Sequence, residues 1–316
     1  MPSRYPQQST GEAPVPRYDW NDPREEGPSP ARGEPSATMT PNDRTIVTRE
    51  DIERGLREVG LEAGDVALVH SSLSSMGWVE GGTDTVIEAC LGVLDRDEGT
   101  FVVPTLCSSK PRDKRFEVWD IDESPSDVGA ITEAVRLHPD AVRSDHGTHS
   151  VAAIGAQAEE VTSGHATADG RPSPWGPAAF GFGSPWQWLY DHNAHYLFLG
   201  VTMSVNTIGH FAQAEFVRSV LEDVPADHRE KLAGDLRAWQ RGGVWPNFKF
   251  ATAEEWLKEK GAMRYAEIGE ATLRATRATV NVDTIIARFN TEGGSILEDD
   301  FLDWLERAKA AKESRE

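Results

Sequence analysis

The stretch Asp65–Gly82, DVALVHSSLSSMGWVEGG, decides the fold. Val66, Ala67, Leu68 and Val69 form a short unbroken apolar run of strand length, the pattern of a strand buried on both faces. The run ends in His70-Ser71-Ser72, with Gly77, Gly81 and Gly82 close behind. Thr83–Leu94 then repeats apolar residues at helical spacing, with Val86, Ile87, Cys90 and Leu94 on one face and Thr83 placed to cap the first turn. A strand that exits into hydroxyls ahead of a helix N-terminus offers an anion both backbone N–H donors and the positive end of a helix dipole. The same residues suit an ordinary exposed strand–helix connection, so the stretch specifies architecture before activity.

Outward from this unit, the pattern repeats. Upstream, Thr48 caps a helix running to about Glu58, and Gly60 and Gly64 bracket the turn into the first strand. Downstream, strands are predicted at Thr100–Leu106, Val151–Ile154 and Tyr196–Val201, and helices at Val128–Leu137, Ala158–Thr162 and His210–Leu221. Strands and helices in alternation predict an α/β fold: a largely parallel or mixed central sheet flanked by helices on both faces, with a less regular C-terminal region. That region, after Pro225, mixes a WPNFKF segment with a helical Ala253–Lys260 and Ile268–Ala278. Three parts are expected: a disordered Pro/Ser-rich tail over 1–43, an α/β core over 44–224, and a C-terminal region over 225–316 packed on the core.

Composition narrows the partners. The formal charge of −20 over 316 residues argues against nucleic acid, which needs a basic stripe, and accommodates a cationic ligand more readily. The exception is Lys110–Arg115, KPRDKR, a basic island suited to a phosphorylated ligand or to an ordinary exposed loop. No segment approaches the roughly 20 uninterrupted apolar residues of a membrane span, and the N-terminus lacks a signal-peptide core, so a cytoplasmic protein without membrane contact is expected. The two cysteines, Cys90 and Cys107, sit in apolar surroundings and belong to no ligand spacing, which predicts buried thiols and no metal site.

Five ordered segments together resemble the aminoglycoside 3-N-acetyltransferases, the antibiotic N-acetyltransferases that use acetyl-CoA. They are VHSSLSSMGWVEGG (Val69–Gly82), GTFVVPT (Gly99–Thr105), WDIDESPSDVGAITEAVRLHPDAVRSDHGTHSVAAIG (Trp119–Gly155), GFGSPW (Gly181–Trp186) and LFLGVTMSVNTIGHFAQAE (Leu197–Glu215). The resemblance covers most of Ile46–Leu221 and loosens after Pro225.

The resemblance implies direct transfer of an acetyl group from the thioester to an amine, with both substrates bound and no covalent acyl-enzyme. An aliphatic ammonium has no lone pair until a base removes a proton, and an imidazole is suited to that work near neutral pH. The family places its catalytic histidine at the helix start after the strand–Asn–Thr loop, which here is His210, preceded by Asn206 and Thr207. Of the competing histidines, His70 reads as structural and His146 as a wall or CoA-proximal residue. Family members continue as HxxE, whereas here His210-Phe211-Ala212-Gln213 offers an amide and Glu215 comes two residues later. Gly147 also replaces a family proline.

On the donor side, Ser71, Ser72 and Ser74, with Arg143 and Ser144, are the implied acetyl-CoA contacts, and the serine turn is the candidate oxyanion donor. On the acceptor side, Asp120, Asn206, Thr207, Gln213 and Glu215 are the implied contacts to a small cationic amine, joined by the C-terminal region. Trp175, Trp186 and Trp188 are expected to pack. Two other classes stay open: a hydrolase, disfavoured because Trp186 stands where a nucleophile elbow after Ser184 needs glycine, and a non-catalytic CoA- or amine-binding protein. A metal hydrolase built on His146, His149 and His210 fits no ligand spacing. Acceptors other than an antibiotic, such as an amino sugar or amino metabolite, are the alternative within the enzyme class.

Overall fold

The computed structural model describes residues 44–107, 119–238 and 241–313, so the expected tail and the basic island lie outside the described residues. The strands are β1 (Ile46–Val47), β2 (Val66–Ser71), β3 (Trp78–Val79), β4 (Thr100–Pro104), β5 (Val142–Arg143), β6 (Val151–Gly155), β7 (His195–Leu199), β8 (Arg264–Ile268) and β9 (Ala271–Arg277). The first helices are α1 (Arg49–Glu58), α2 (Gly82–Leu94), α3 (Ala130–Leu137), α4 (Ala158–Thr162) and α5 (Pro185–Asp191). They are followed by α6 (Ile208–Glu222), α7 (Ala226–Gly234), α8 (Thr252–Glu259), α9 (Ala278–Ile296) and α10 (Asp299–Glu313).

β2, the strand read first from the sequence, is the middle of a seven-stranded sheet of order β5-β6-β4-β2-β7-β9-β8. Within this sheet parallel pairing is confined to β4, β2 and β7; the outer strands pair antiparallel, which makes the sheet mixed, while β1 and β3 form a separate parallel pair. The apolar run Val66–Val69 is explained by helices on both faces. Ala67 and Val69 pack with Ile52, Leu56, Val86 and Cys90 of α1 and α2, while Leu68 packs with Tyr196, Phe198, Ile208 and Phe211 toward α6 and α9. A period of two therefore sends His70 to the α6 side and Ser71 to the α2 side of the same strand end.

Local signals act where the sequence places them, with one exception. Thr48 and Asp51 form a reciprocal capping box at α1. At α2 the cap is Gly81 and Thr83 lies inside the first turn, so the predicted Thr83 cap is not formed. Both cysteines are buried, and no disulfide joins them. Two elements of the C-terminal region, β9 and β8, extend the central sheet beyond β7, and α9 packs along α6. Among the described residues no helix is long and apolar enough to cross a membrane.

Candidate active site

β2 and β7 end side by side, and both exits are polar. Ser72 N–H donates to Leu199 O at 2.9 Å, tying the serine turn to the end of β7. Gly200 makes this approach possible: its φ is +70°, and a Cβ there would sit 2.8 Å from Ser75 Cβ and 3.3 Å from Ser72 O. Beyond Gly200 the chain turns through Thr202–Val205 into α6, which carries His210 in its first turn.

Two adjoining cavities open at these strand ends. The larger, about 880 Å³, is lined by Ser71, Ser72, Ser74, Trp78 and the N-terminal residues of two helices, Gly81-Gly82 of α2 and Gly129-Ala130 of α3. Arg44 is the cationic side chain among its described lining residues. Converging helix N-termini and a guanidinium make this cavity suited to an anionic group. The smaller, about 280 Å³, is lined by His70, Pro104, Leu106, Thr132, Ser204, Asn206, Thr207, His210 and Phe250. Ser71, Val128 and Val201 line both, so the two spaces meet at the C-terminal end of β2.

The orientation of His210 follows from its partners. Gln213 Nε2 donates to the Pro246 carbonyl at 2.7 Å, and a carbonyl only accepts. The amide oxygen therefore faces His210 Nδ1 at 2.8 Å, which assigns the imidazole proton to Nδ1 and leaves Nε2 as the basic nitrogen. Nε2 has no hydrogen-bond partner among the described residues. Aromatic rings hold the imidazole, with centroids at 4.5 Å for Trp175, 4.6 Å for Phe250 and 6.0 Å for His149. Phe250 gets this close because residue 209 is glycine: a Cβ there would lie 2.7 Å from Phe250 Cε1. Burial pushes His210 down to about 4, against the raising effect of the Gln213 bond, so the ring is neutral at physiological pH.

The remaining sequence-predicted residues divide. Asn206 and Thr207 lie in the smaller cavity, and Asn206 is buried in a reciprocal amide pair with Asn281, 3.1 Å each way. Gln213 sits behind His210. Arg143 lines neither cavity; its guanidinium donates to the carbonyls of Thr105, Ile121 and Ser124 and stacks 4.5 Å from the Trp119 ring. Ser144 is buried, bonded to His165 Nδ1 and to Val151 N–H. Asp120 Oδ1 accepts from the backbone N–H of Asp122 and Glu123, which closes its own turn. Glu215 is gripped by Arg171 and Arg218 rather than turned to either cavity. Among the described residues no cluster of three or more His, Cys, Asp or Glu is arranged to hold a metal.

Sequence reasoning assigned no site role to Phe250 and Pro246 and expected Trp175 only to pack, because tertiary packing alone brings all three to the surroundings of His210. It also read His70 as structural, although that ring is part of the cavity wall. The alternation of β2 could have found it, since His70 follows Leu68 on the α6 face.

Comparison with known proteins gives a consistent result. Residues 68–290 match the family described as Aminoglycoside 3-N-acetyltransferase. The SPbeta prophage-derived aminoglycoside N(3')-acetyltransferase-like protein YokD of Bacillus subtilis is 32% identical over 267 residues, covering 75% of this chain and 90% of that one. Aminoglycoside N(3)-acetyltransferase IX of Micromonospora chalcea is 33% identical over 184 residues, 53% of this chain and 62% of that one. In three dimensions the chain is similar to AAC-IIIb, solved as a binary complex with CoASH, at a TM-score of 0.60 and 22% identity over 78% of this chain and 98% of that one.

Proposed function

The chain belongs to the aminoglycoside 3-N-acetyltransferase family of acyltransferases, and we propose that it transfers the acetyl group of acetyl-CoA directly to the 3-amino group of an aminoglycoside. The observation that carries this reading is the meeting of two cavities at β2, one bearing anion-binding helix ends and the other the basic nitrogen of His210. CoA occupies the larger cavity, its phosphates toward the helix N-termini and Arg44 and its pantetheine arm passing Ser71. The amine occupies the smaller cavity beside Asn206, Thr207 and Phe250.

The amine nitrogen attacks the thioester carbon, forming C–N as the carbonyl electrons move to oxygen. His210 Nε2 takes the N–H proton, the carbonyl reforms, and C–S breaks. The departing thiolate takes that proton back from the His210 imidazolium, giving the amide, the free CoA thiol and the neutral ring. Gln213 holds the imidazole in the required tautomer but supplies no charge to the imidazolium. Among the donors at the junction, the Ser71 hydroxyl is buried without a hydrogen-bond partner, which suits it to the thioester oxygen.

A second reading, an amino sugar or amino metabolite with fewer ammonium groups, is favoured by the engagement of Glu215 with Arg171 and Arg218. The test is thiol release from acetyl-CoA against gentamicin-, kanamycin- and apramycin-type acceptors beside simple amino sugars. His210→Ala is expected to lower turnover by about 10²–10⁴-fold while acetyl-CoA binding persists. Undiminished turnover in that variant overturns the assignment.

A further inference from the structure

The chemistry proposed above leaves one imidazole of the smaller cavity without a task. His70 ends the central strand on the same face as Tyr196 and Phe198 of β7, and its ring stacks at 11° to Phe198 with centroids 5.3 Å apart. Its Nε2 is 2.7 Å from Tyr196 Oη. Tyr196 Oη in turn accepts the backbone N–H of Ile208 at 3.0 Å, the first residue of the helix that carries His210.

These contacts select a tautomer. Were His70 Nε2 the donor, Tyr196 Oη would receive two protons and its own hydroxyl hydrogen would be buried without an acceptor, which is costly. Tyr196 O–H therefore donates to Nε2, and the ring proton is on Nδ1. Nδ1 has no hydrogen-bond partner among the described residues and is not sealed in the core. Burial pushes His70 down to about 3, so the ring stays neutral and keeps a single N–H. A neutral, preoriented N–H donor standing beside the junction of the two cavities matches what a developing thioester oxyanion needs.

We propose that His70 Nδ1–H hydrogen-bonds the thioester carbonyl oxygen and stabilises the oxyanion formed on attack, with Tyr196 as the residue that positions it. The assignment rests on the acetyl-transfer reading of the same cavities. It adds no covalent step: the N–H polarises the carbonyl, holds the oxyanion, and keeps its proton when C–S breaks.

Two isosteres separate this role from a structural one. An asparagine amide reaches the place of Nδ1, and a glutamine amide reaches the place of Nε2. Donation from Nδ1 predicts that His70→Gln lowers kcat by about 10²–10³-fold at nearly unchanged KM for acetyl-CoA, the usual cost of losing one oxyanion donor. His70→Asn then retains most of kcat. A purely structural role, filling space and meeting Tyr196, predicts the reverse order, and that order or equal rates overturns the proposal. Nitrogen-15 histidine spectra of the wild-type protein give a second readout without mutation: a protonated Nδ1 whose resonance shifts on adding acetyl-CoA is expected. A protonated Nε2, or no shift with acetyl-CoA bound, overturns the assignment of His70 alone. Failure of the wild-type protein to bind acetyl-CoA overturns the acetyl-transfer reading itself.

Discussion

Gln213→Glu tests how the site sets the basicity of His210. In the wild-type protein the Nδ1 partner is a neutral amide oxygen at 2.8 Å, and burial holds the imidazole at about 4. A carboxylate within about 4–6 Å of a titrating group favours its charged partner by roughly 1–3 pKa units. At about 1.4 kcal/mol per unit, the imidazolium gains roughly 1.4–4 kcal/mol. Only the neutral ring accepts a proton, so a raised pKa moves the acid limb of kcat/KM upward, from near 4 toward about 5–7. For a shift of about two units, the neutral fraction at pH 5 falls roughly tenfold, while the plateau at pH 8 is kept. The substitution also places a carboxylate oxygen against the Pro246 carbonyl, 2.7 Å from the present amide nitrogen. Losing that bond costs roughly 1–3 kcal/mol of stability. The assay is the pH profile of thiol release from pH 4.5 to 9, normalised to the folded fraction by tryptophan fluorescence. An acid limb that stays in place, in a variant that folds, refutes the coupling of position 213 to the catalytic base.

Three further outcomes are expected. His70, His146, His165 and His210 are all pushed below the usual histidine value, chiefly by burial. The unfolded chain therefore binds more protons than the folded one below about pH 6.5, and each such histidine removes about 1.4 kcal/mol per pH unit until its folded pKa is reached. Denaturant titrations at pH 7, 6 and 5 should show a steep loss of stability on acidification, and a flat profile contradicts the neutral cluster. Glu215→Ala leaves the buried Arg171 guanidinium with the Phe180 carbonyl and the faces of Phe182 and Phe211 in place of its carboxylate. It should cost about 3–5 kcal/mol of unfolding free energy, since half of a mostly buried pair remains. A larger effect on KM than on stability would instead mark Glu215 as an acceptor contact. Gly209→Ala drives a methyl group into Phe250 and is expected to destabilise by about 1–3 kcal/mol and to lower kcat through the displaced wall of His210. Unchanged kcat argues that Phe250 has no part in the site.

Much of the fold was legible because each central strand is buried on both faces and advertises this as an unbroken apolar run. Val66–Val69 and Tyr196–Leu199 are such runs, and the two strands are neighbours in the sheet. Thr48 with Asp51 marked the start of α1 through local hydrogen bonds that depend on a few adjacent residues, whereas the equally local Ser184 cap of α5 was not read from the sequence. The outer strands were harder to read. β9 alternates buried and half-buried positions over part of its length and β8 exposes most of its residues, so their pairing depends on β7 rather than on their own pattern.

The site divides along the same line. The order of residues alone placed a histidine, an asparagine and a threonine at the head of a helix behind a buried strand, because backbone connectivity sets which side chains a strand exit delivers. It could not say which carboxylates face substrate: the family resemblance implies Glu215 and Asp120 as acceptor contacts, while in the fold one is held by two arginines and the other by its own turn. Arg143 likewise spends its donors on carbonyls of distant segments. Hydrogen-bond partners remote in sequence hold Arg143 and one side of Glu215, as they set the tautomers of His210 through Pro246 and of His70 through Tyr196. Periodicity and local capping are written along the chain, whereas the direction of a proton is set by which buried acceptor folding brings opposite it.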